Sequence, residues 1–113
     1  MSDCLFCRIA KREIPADVVL EWEDVLAFRD IDPRAPTHVL VIPKEHVASL
    51  AAIDERHDGL LASVVRAVNE VARQDGVADG FRVVTNVGPA AGQSVEHLHL
   101  HVLGGRTFSW PPG

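Results

Sequence analysis

Three histidines alternate with apolar residues near the C-terminal end of the chain. The segment reads His97-Leu98-His99-Leu100-His101-Val102-Leu103. Because successive side chains of a β-strand point to opposite faces, a strand here would place the three imidazoles in one row. Neighbours in that row would lie about 6.5 Å apart, which is two rises of roughly 3.3 Å. The apolar side chains would then fill the opposite face, towards a core.

This row of imidazoles admits three interpretations. The histidines could lie on an exposed strand face without any function. They could bind zinc, because two histidines at positions i and i+2 often share one metal ion with a ligand from elsewhere. They could also act in nucleophilic catalysis, in which one imidazole attacks phosphorus and its neighbours supply hydrogen bonds and charge. Histidine suits such an attack because its neutral form is abundant near neutral pH.

The loop before this segment carries small residues and hydrogen-bond donors. Gly88 and Gly92 permit close approach of the backbone, and Gln93 and Ser94 follow directly. Donors that converge beside a nucleophile could bind phosphoryl oxygens, which favours the catalytic interpretation. Taken alone, the Gly-Gln-Ser sequence is equally compatible with a plain connection between strands.

A second motif, Cys4-Leu5-Phe6-Cys7, lies near the N-terminus. The Cys-x-x-Cys spacing lets two thiolates reach one metal ion, but a second such pair is absent, so further ligands would have to come from elsewhere. The alternatives are two buried thiols, a redox pair or a disulfide. A reducing cytoplasm disfavours the disulfide, and a redox pair would need a thioredoxin-like setting.

The composition limits the classes of function. The chain of 113 residues has a formal net charge of −5 and no run of lysines and arginines, which argues against binding a nucleic acid polymer. A bound nucleotide would therefore be small and held in a pocket. Residues 1–113 fit a single domain. We expect a cytoplasmic protein without a membrane partner, because we find no signal region and no apolar stretch near the roughly 20 residues that span a bilayer.

The periodicity of the apolar residues predicts an α+β fold. The clearest helix is expected at residues 58–74, where apolar side chains recur at helical spacing. A shorter helix is expected at Leu5–Lys11. Strands are predicted at Val18–Trp22, Val25–Asp30, Thr37–Ile42, Phe81–Asn86 and His97–Leu103. Short strands with tight connections indicate a five-stranded antiparallel sheet with one long helix and a short N-terminal helix.

The histidine segment resembles the His-x-His-x-His-x-x signature of the histidine-triad (HIT) superfamily, in which x is hydrophobic. The resemblance extends over nearly the whole chain. Further matching blocks, in the family's order, are Arg12–Ala16, Ala27–Ile31, Ala35–His38, Val41–Lys44 and Gly92–Val95. The ending, Gly104-Gly105-Arg106 and then Trp110-Pro111-Pro112-Gly113, looks like the HINT branch of histidine-triad nucleotide-binding proteins.

The resemblance implies a nucleotide hydrolase that cleaves purine nucleoside 5′-phosphoramidates, as an adenosine 5′-monophosphoramidase does. His99 matches the histidine that forms the covalent nucleotidyl intermediate. His101 would hydrogen-bond the phosphoryl oxygens, and Ser94 would lie near the leaving nitrogen. His38 matches a fourth histidine close to the catalytic cluster. We also expect the Nδ1–H of His99 to donate to a backbone carbonyl, which would leave Nε2 to attack.

The resemblance also implies a nucleotide-binding set. Asp30 would accept hydrogen bonds from the ribose hydroxyls, although an acidic residue here could also simply end a strand. Asn86 would contact the phosphate side, or else cap a loop. Apolar walls around the base, the phosphate loop and the catalytic residues complete the set: Phe6, Ile9, Ile31, Gly92, Gln93, Ser94, His99 and His101.

Relatives with an N-terminal cysteine pair complete a zinc site with two histidines, which match His46 and His97 here. The resemblance thus implies a structural zinc held by Cys4, Cys7, His46 and His97, and no organic cofactor. As a metal ligand, His97 would be withheld from acid–base chemistry. The family and the proline-rich tail at 108–112 also predict a homodimer, although Trp110 could instead close the core of its own protomer.

Other functions stay open. One is hydrolysis of dinucleoside polyphosphates, as in the Fhit-like branch, which the Trp-Pro-Pro-Gly ending disfavours. Another is a protein that mainly binds nucleotides or regulates partners, which an intact triad with Ser94 disfavours. The third is a zinc hydrolase with a metal-bound water. The sequence assigns no role to Glu96 and no identity to the base or the leaving amine.

Overall fold

Five strands form one antiparallel sheet in the computed structural model, which describes residues 3–113. The strands are β1 (Val18–Glu21), β2 (Val25–Arg29), β3 (Thr37–Pro43), β4 (Phe81–Val84) and β5 (Leu100–Gly104). Their order across the sheet is β1-β2-β3-β5-β4. The helices are α1 (Leu5–Ala10) and α2 (Asp58–Gln74), with 3₁₀ turns at Leu50–Ala52, Glu55–His57 and Pro89–Ala91. The predicted α+β architecture is confirmed.

Helix α2 covers one face of the sheet. Its apolar stripe is buried against the central strands, as the helical spacing of those residues predicts. The main members of this core are Val25, Ala27, Val39, Val41, Val64, Ala67, Val68, Val71, Leu100 and Val102. Because full burial of a valine contributes about 1.5–3 kcal/mol, this side supplies much of the stability of the fold.

Helix α1 lies on the opposite face. Phe6 and Ile9 from the helix pack with four sheet residues, Leu26, Phe28, Leu40 and Ile42. Isolated helices shorter than about 12 residues are unstable in water, so a helix of six residues depends on its tertiary contacts for its position. The helix begins after Cys4, whose sulfur accepts a hydrogen bond from the backbone N–H of Cys7 at 3.4 Å.

The pairing of β3 with β5 brings histidines onto the α1 face. Leu40 is opposite His101 and His38 is opposite Leu103, whereas Val39 and Val102 form a pair on the α2 face. Since side chains alternate along each strand, His38, Leu40 and His101 point to the same side as α1. One face of the sheet therefore packs against α2 in the apolar core, and the other face, beside α1, carries the histidines.

The hydrogen-bonded part of β5 is shorter than the prediction of His97–Leu103. The backbone N–H of His97 donates to Val95 O at 2.9 Å and that of Leu98 donates to Val47 O at 2.6 Å, so neither joins the β-ladder. The alternation of sides nevertheless continues, because Leu98 lies in the α2-side core while the rings of His97 and His99 contact Phe6. The row of imidazoles thus forms although two of its three histidines, His97 and His99, precede the strand.

Other boundaries differ from prediction by one or two residues. Strand β4 ends at Val84 rather than Asn86, because the hydroxyl of Thr85 donates to the carbonyl of His99 at 2.8 Å in place of ladder pairing. Strand β3 continues through Pro43, which pairs with Val25. Among residues 3–113, no helix is long and apolar enough to cross a membrane.

Candidate active site and metal centre

Four imidazoles gather on the α1 face of the sheet. The ring centroids of His99 and His101 are 5.1 Å apart, and those of His101 and His38 are 5.2 Å apart. His97, His99 and His38 are buried, with exposed fractions of 0%, 5% and 6%. His101 is half-buried between His99 and His38. The structure therefore brings the predicted catalytic histidines into one cluster.

Backbone hydrogen bonding determines which nitrogen of His99 can react. Its Nδ1 lies 2.7 Å from the carbonyl oxygen of His97. A carbonyl can only accept, so Nδ1 carries the proton and Nε2 keeps its lone pair. The ring also contacts the edge of Phe6, with centroids 5.0 Å apart. His99 is thus held in the tautomer that a nucleophilic Nε2 requires.

His38 and His101 form a hydrogen-bonded relay. The backbone N–H of Arg34 donates to Nδ1 of His38 at 3.0 Å, so neutral His38 carries its proton on Nε2. That N–H faces Nδ1 of His101 at 2.9 Å, which leaves the proton of His101 on its own Nε2. Burial, with the neighbouring His99 and His38, lowers the pKa of His101 to about 4. His101 is therefore a neutral N–H donor at physiological pH.

A cleft of about 230 Å³ lies between α1 and the histidine cluster. It contains most of the predicted nucleotide-binding residues. Its lining comprises Leu5, Phe6, Ile9, Phe28, Arg29, Asp30, Ile31, Leu40, Ser94, Val95, His99 and His101. The cleft is mainly apolar around α1, and Asp30, His99 and His101 lie on its wall. This distribution suits a ligand with a flat apolar part and a polar part.

Asp30 is partly committed to its own loop. Its Oδ1 accepts from the backbone N–H of Asp32 at 2.8 Å, and its Oδ2 lies 3.4 Å from Nε2 of His38. A carboxylate has about four acceptor positions, so lone pairs remain for a ligand. Ile31, which follows directly, is fully exposed at the edge of the cleft.

Three of the predicted nucleotide-binding residues do not line this cleft. The side-chain oxygen of Gln93 accepts from Gly88 N at 2.8 Å, and its amide nitrogen donates to Ala48 O and Val95 O. Gly92, at φ 91°, ends a 3₁₀ turn and donates its N–H to Pro89 O. Asn86 follows β4 and is half-buried. Gln93 and Gly92 thus hold the loop in shape, and the direct phosphate roles of all three stay predictions.

Sequence reasoning missed several lining residues. Phe28 and Leu40 belong to the same face as His38 and His101, and the two-residue alternation of β2 and β3 could have identified them. Leu5 and Val95 could not have been found in this way, because the first is on a short helix and the second is in a loop.

A second cleft, of about 500 Å³, adjoins the first. The two share Leu5, Ser94 and Val95 as walls. Asp3 and Glu96 add carboxylates to the second cleft, which no lysine or arginine lines within residues 3–113. Ser94 therefore lies where the two clefts meet, with an acidic space beyond it.

The cysteine pair meets two histidines beside α1. The ligand atoms of Cys4, Cys7, His46 and His97 all lie within 4.8 Å of one another. Cys4 Sγ is 3.3 Å from His97 Nδ1, Cys7 Sγ is 3.3 Å from His46 Nδ1, and Cys7 Sγ is 3.5 Å from His97 Nδ1. Tetrahedral zinc with ordinary bond lengths places sulfur and nitrogen ligands about 3.5 Å apart, so these separations fit zinc.

The protonation of His97 also fits a metal ligand. Its Nε2 lies 2.8 Å from the carbonyl oxygen of Pro43, so Nε2 carries the proton and the Nδ1 lone pair faces the two sulfurs. Burial lowers the pKa of His97, which favours the neutral form that binds a metal. The predicted Cys2His2 set is therefore assembled, oriented and chemically suited to structural zinc.

A second group of potential ligands, Asp30, His38 and His101, is equally close. Here the imidazole nitrogens that face one another are already paired, because His38 Nε2–H points at His101 Nδ1. His38 Nδ1 is used by the backbone N–H of Arg34. This group is a hydrogen-bond relay rather than a metal centre.

Comparisons with known proteins agree with this site. Residues 11–108 match the HIT domain. The chain is 52% identical over 114 residues to the 14 kDa zinc-binding protein of Zea mays, which covers 99% of this chain and 89% of that protein. It is 46% identical over 114 residues to adenylylsulfatase HINT1 of Arabidopsis thaliana, which covers 99% of this chain and 78% of that protein.

A solved structure confirms the similarity in three dimensions. The HIT family hydrolase from Legionella pneumophila Philadelphia 1 superposes with a TM-score of 0.95 at 49% sequence identity, over 98% of this chain and 100% of that one. The matched domain covers the histidine cluster, and the similar proteins cover the cysteine pair as well. The chain therefore belongs to the HIT domain family, as a HINT-like member with an N-terminal zinc-type Cys-x-x-Cys pair.

Proposed function

We propose that this protein hydrolyses purine nucleoside 5′-phosphoramidates to a nucleoside monophosphate and an amine. The observation that carries the proposal is His99, which is held with Nε2 unprotonated at the wall of a cleft that also contains Asp30, Ser94 and His101. The hydrolase and adenylylsulfatase names of similar proteins support a hydrolytic reaction at a nucleotide.

The reaction proceeds in two displacements at phosphorus. In the first, Nε2 of His99 forms a bond to phosphorus and the bond from phosphorus to the amine nitrogen breaks. The departing nitrogen takes up a proton from solvent, relayed by the Ser94 hydroxyl beside it, and leaves as the amine. In the second, water attacks phosphorus, the bond to Nε2 breaks, and the monophosphate leaves while the attacking water gives up a proton to solvent. His99 returns to its starting tautomer.

Two neighbours of His99 assist without changing their protonation. The His97 carbonyl accepts the Nδ1–H of His99 and so stabilises the positive charge that develops on the ring. His101 donates its Nε2–H to a phosphoryl oxygen, because His38 holds its Nδ1 as the acceptor. Such preorganised donors contribute strongly where charge develops in the transition state.

The nucleoside occupies the 230 Å³ cleft. A purine ring is placed between apolar side chains of α1 and Ile31, and the ribose hydroxyls donate to the remaining lone pairs of Asp30. The amine then extends past Ser94 into the second cleft. Gly92 and Gln93 act on the phosphate side by shaping the loop, and Asn86 contacts the phosphate side directly.

We propose that Cys4, Cys7, His46 and His97 hold one structural zinc ion, and that the reaction uses no organic cofactor. When bound, the metal supplies a cross-link between α1, the segment after β3 and the approach to β5. Four protein ligands leave no open position, so the site is structural. The zinc-binding name of the Zea mays relative supports this assignment. We place the protein in a reducing compartment, the cytoplasm, where paired thiols persist.

Hydrolysis of dinucleoside polyphosphates is the main competing reaction. Its leaving group carries several negative charges, which the carboxylates of Asp3 and Glu96 in the second cleft would repel. We therefore expect an adenosine phosphoramidate to be turned over faster than a diadenosine polyphosphate. The reverse preference would support the competing assignment.

The test of the proposed function is hydrolysis of an adenosine 5′-phosphoramidate that releases a fluorescent amine. Wild type should turn it over, and His99→Ala should lose about 10³-fold or more in kcat while retaining the fold. Wild type that binds AMP without turnover would instead support a nucleotide-binding protein. Turnover that a chelator abolishes in folded protein, and that survives His99→Ala, would support a zinc hydrolase.

A further inference from the structure

Helix α1 contributes to the metal cluster and to the nucleotide cleft at the same time. Cys4 and Cys7 point into the Cys/His cluster, while Phe6 and Ile9 line the cleft. The two roles alternate within six residues of chain. Any shift of α1 that changes one site must therefore change the other.

Phe6 connects the two sites directly. Its ring makes edge contacts with the rings of His97 and His99, at centroid distances of 6.0 Å and 5.0 Å. It makes a third such contact with the ring of Phe28, at a centroid distance of 5.5 Å. His97 is a ligand in the cluster, His99 is the proposed nucleophile, and Phe28 is in the floor of the cleft. A single buried side chain between the two cysteines thus packs against residues of both sites.

His97 forms the second connection. Its Nδ1 faces the sulfurs of Cys4 and Cys7, and its carbonyl oxygen accepts the Nδ1–H of His99 at 2.7 Å. The orientation of the His97 residue therefore sets both the metal geometry and the position of the His99 ring. Its Nε2–H is fixed on Pro43 O, so the imidazole cannot rotate without losing a buried hydrogen bond.

We infer that the metal centre positions the nucleotide site, so that zinc and nucleotide increase each other's affinity. The inference rests on the proposed function, because it places a nucleotide in the cleft. The apolar contacts of Phe6 and Ile9 hold the middle of α1 on the sheet, whereas zinc would fix its N-terminal end through Cys4 and Cys7. Without zinc, we therefore expect part of the ordering of that end to occur when the nucleotide binds. With zinc bound, that ordering is already complete. Thermodynamic linkage then requires the coupling to be reciprocal.

The experiment measures both directions of the coupling with adenosine 5′-monophosphate as the probe. Calorimetry gives the Kd of AMP for zinc-loaded and zinc-free protein, and competition with a chromophoric chelator gives the affinity for zinc with and without saturating AMP. We expect zinc removal to weaken AMP binding on the order of tenfold, and AMP to tighten zinc binding by the same factor. Circular dichroism and thermal unfolding check that the sheet and α2 persist without zinc.

Two variants separate coupling from simple affinity. Ile31→Ala removes a cleft wall outside α1, so AMP binds more weakly but the coupling factor stays as in wild type. Phe6→Leu keeps an apolar side chain but loses the ring contacts to His97 and His99, so the coupling factor falls towards one. If the zinc-free chain unfolds, AMP tightens zinc binding through folding alone, by the same factor in wild type and in Phe6→Leu, and that result would overturn the inference.

Equal AMP affinity with and without zinc, or a Phe6→Leu coupling factor equal to that of wild type, would overturn the inference and leave the proposed function intact. Failure of AMP to bind either form would overturn both. Failure of the protein to bind zinc would overturn the inference and the assignment of the metal centre.

Discussion

At the scale of single residues, backbone groups decide what each imidazole can do. Pro43 O fixes the proton of His97 on Nε2, His97 O fixes that of His99 on Nδ1, and Arg34 N–H fixes that of His38 on Nε2. The three rings are chemically identical, yet His97 is left suited to ligate a metal through Nδ1, His99 is left with an unprotonated Nε2, and His38 is left as a donor to His101. Their roles follow from the main-chain partner of the nitrogen that faces away from the site.

Two substitutions of His38 test whether its hydrogen bond sets the role of His101. His38→Leu removes the N–H that orients His101, and we expect kcat/KM to fall about 10–100-fold. His38→Gln places an amide N–H at a similar distance from the backbone and should recover most of that loss. Steady-state kinetics of both variants, with melting temperatures as a control for folding, checks the expectation. Equal losses in the two variants would show that His38 contributes packing rather than a hydrogen bond.

The lowered pKa of His101 predicts that the free energy of unfolding depends on pH. Its pKa is about 4 in the folded protein, compared with an ordinary value of 6.5. Between those values the unfolded chain binds more protons than the folded one, so the free energy of unfolding decreases as the pH falls from about 6.5 towards 4. His101→Gln removes this contribution, so its stability should fall less over the same range. Urea unfolding of both proteins at a series of pH values measures the difference, and parallel curves would contradict the assignment.

At the scale of elements, the alternation of residues was sufficient to predict which histidines share a face. It could not predict that β5 starts at Leu100, because the backbone donors of His97 and Leu98 go to Val95 and Val47, which belong to loops. The long helix was predicted at the observed bounds, since its apolar stripe spans four turns. The positions of the short helix and of the loop at 86–95 depend on tertiary contacts. The periodicity of apolar residues therefore could not predict which of their residues line the cleft.

The anchoring of α2 to the sheet carries a prediction of its own. Arg29 donates to both carboxylate oxygens of Asp75 at 2.7 and 2.9 Å, and Thr37 Oγ1 donates at 2.8 Å. The hydrogen bonds from Arg29 lower the pKa of Asp75, so its stabilisation is present at neutral pH and is lost as the pH falls through the folded-state value. Asp75→Asn should lower the free energy of unfolding at pH 7 by about 1–2 kcal/mol, at the lower end because solvent screens the partly exposed pair.

The matched control for Asp75 is Glu70→Gln, which removes an exposed ion pair with Arg73 on the same helix. Urea denaturation at pH 7 should show the smaller change for this control. A larger effect for Glu70 than for Asp75 would contradict the view that the contacts of Asp75 with Arg29 and Thr37 hold the C-terminal end of α2 to the sheet.

At the scale of the whole molecule, the sheet separates stability from chemistry. The α2 face carries the larger apolar core, and the α1 face carries the Cys/His cluster, the cleft and the histidines His38, His99 and His101. The net charge of −5 fits a protein that holds a small nucleotide in a built pocket rather than along a basic surface. A metal in the Cys/His cluster and a nucleotide in the cleft would both contact the α1 side, which is the basis of the proposed coupling.

The outer surfaces support the predicted homodimer, which we propose forms through the β4 edge. Strand β4 is at the end of the sheet, and its Val83 is 42% exposed. The tail lies beside this strand, because Arg82 donates to Ser109 O, and Trp110 in that tail is 83% exposed. An edge strand presents unpaired backbone groups that a second copy can pair with. Light scattering at micromolar concentration should give the mass of two chains, and Val83→Lys should shift it towards one. A wild-type mass of one chain would contradict the proposal.

The most direct test of covalent catalysis by His99 is to trap the intermediate. Wild type is mixed with a nucleoside 5′-phosphoramidate, quenched within one turnover in alkali, where phosphohistidine survives, and digested for mass spectrometry. We predict that a nucleotidyl group is found on the peptide that contains His99, and that it is absent from the same peptide of His99→Ala and from a zero-time sample. Turnover without an adduct at any quench time, or an adduct on another residue, would contradict the assignment of His99 as the nucleophile.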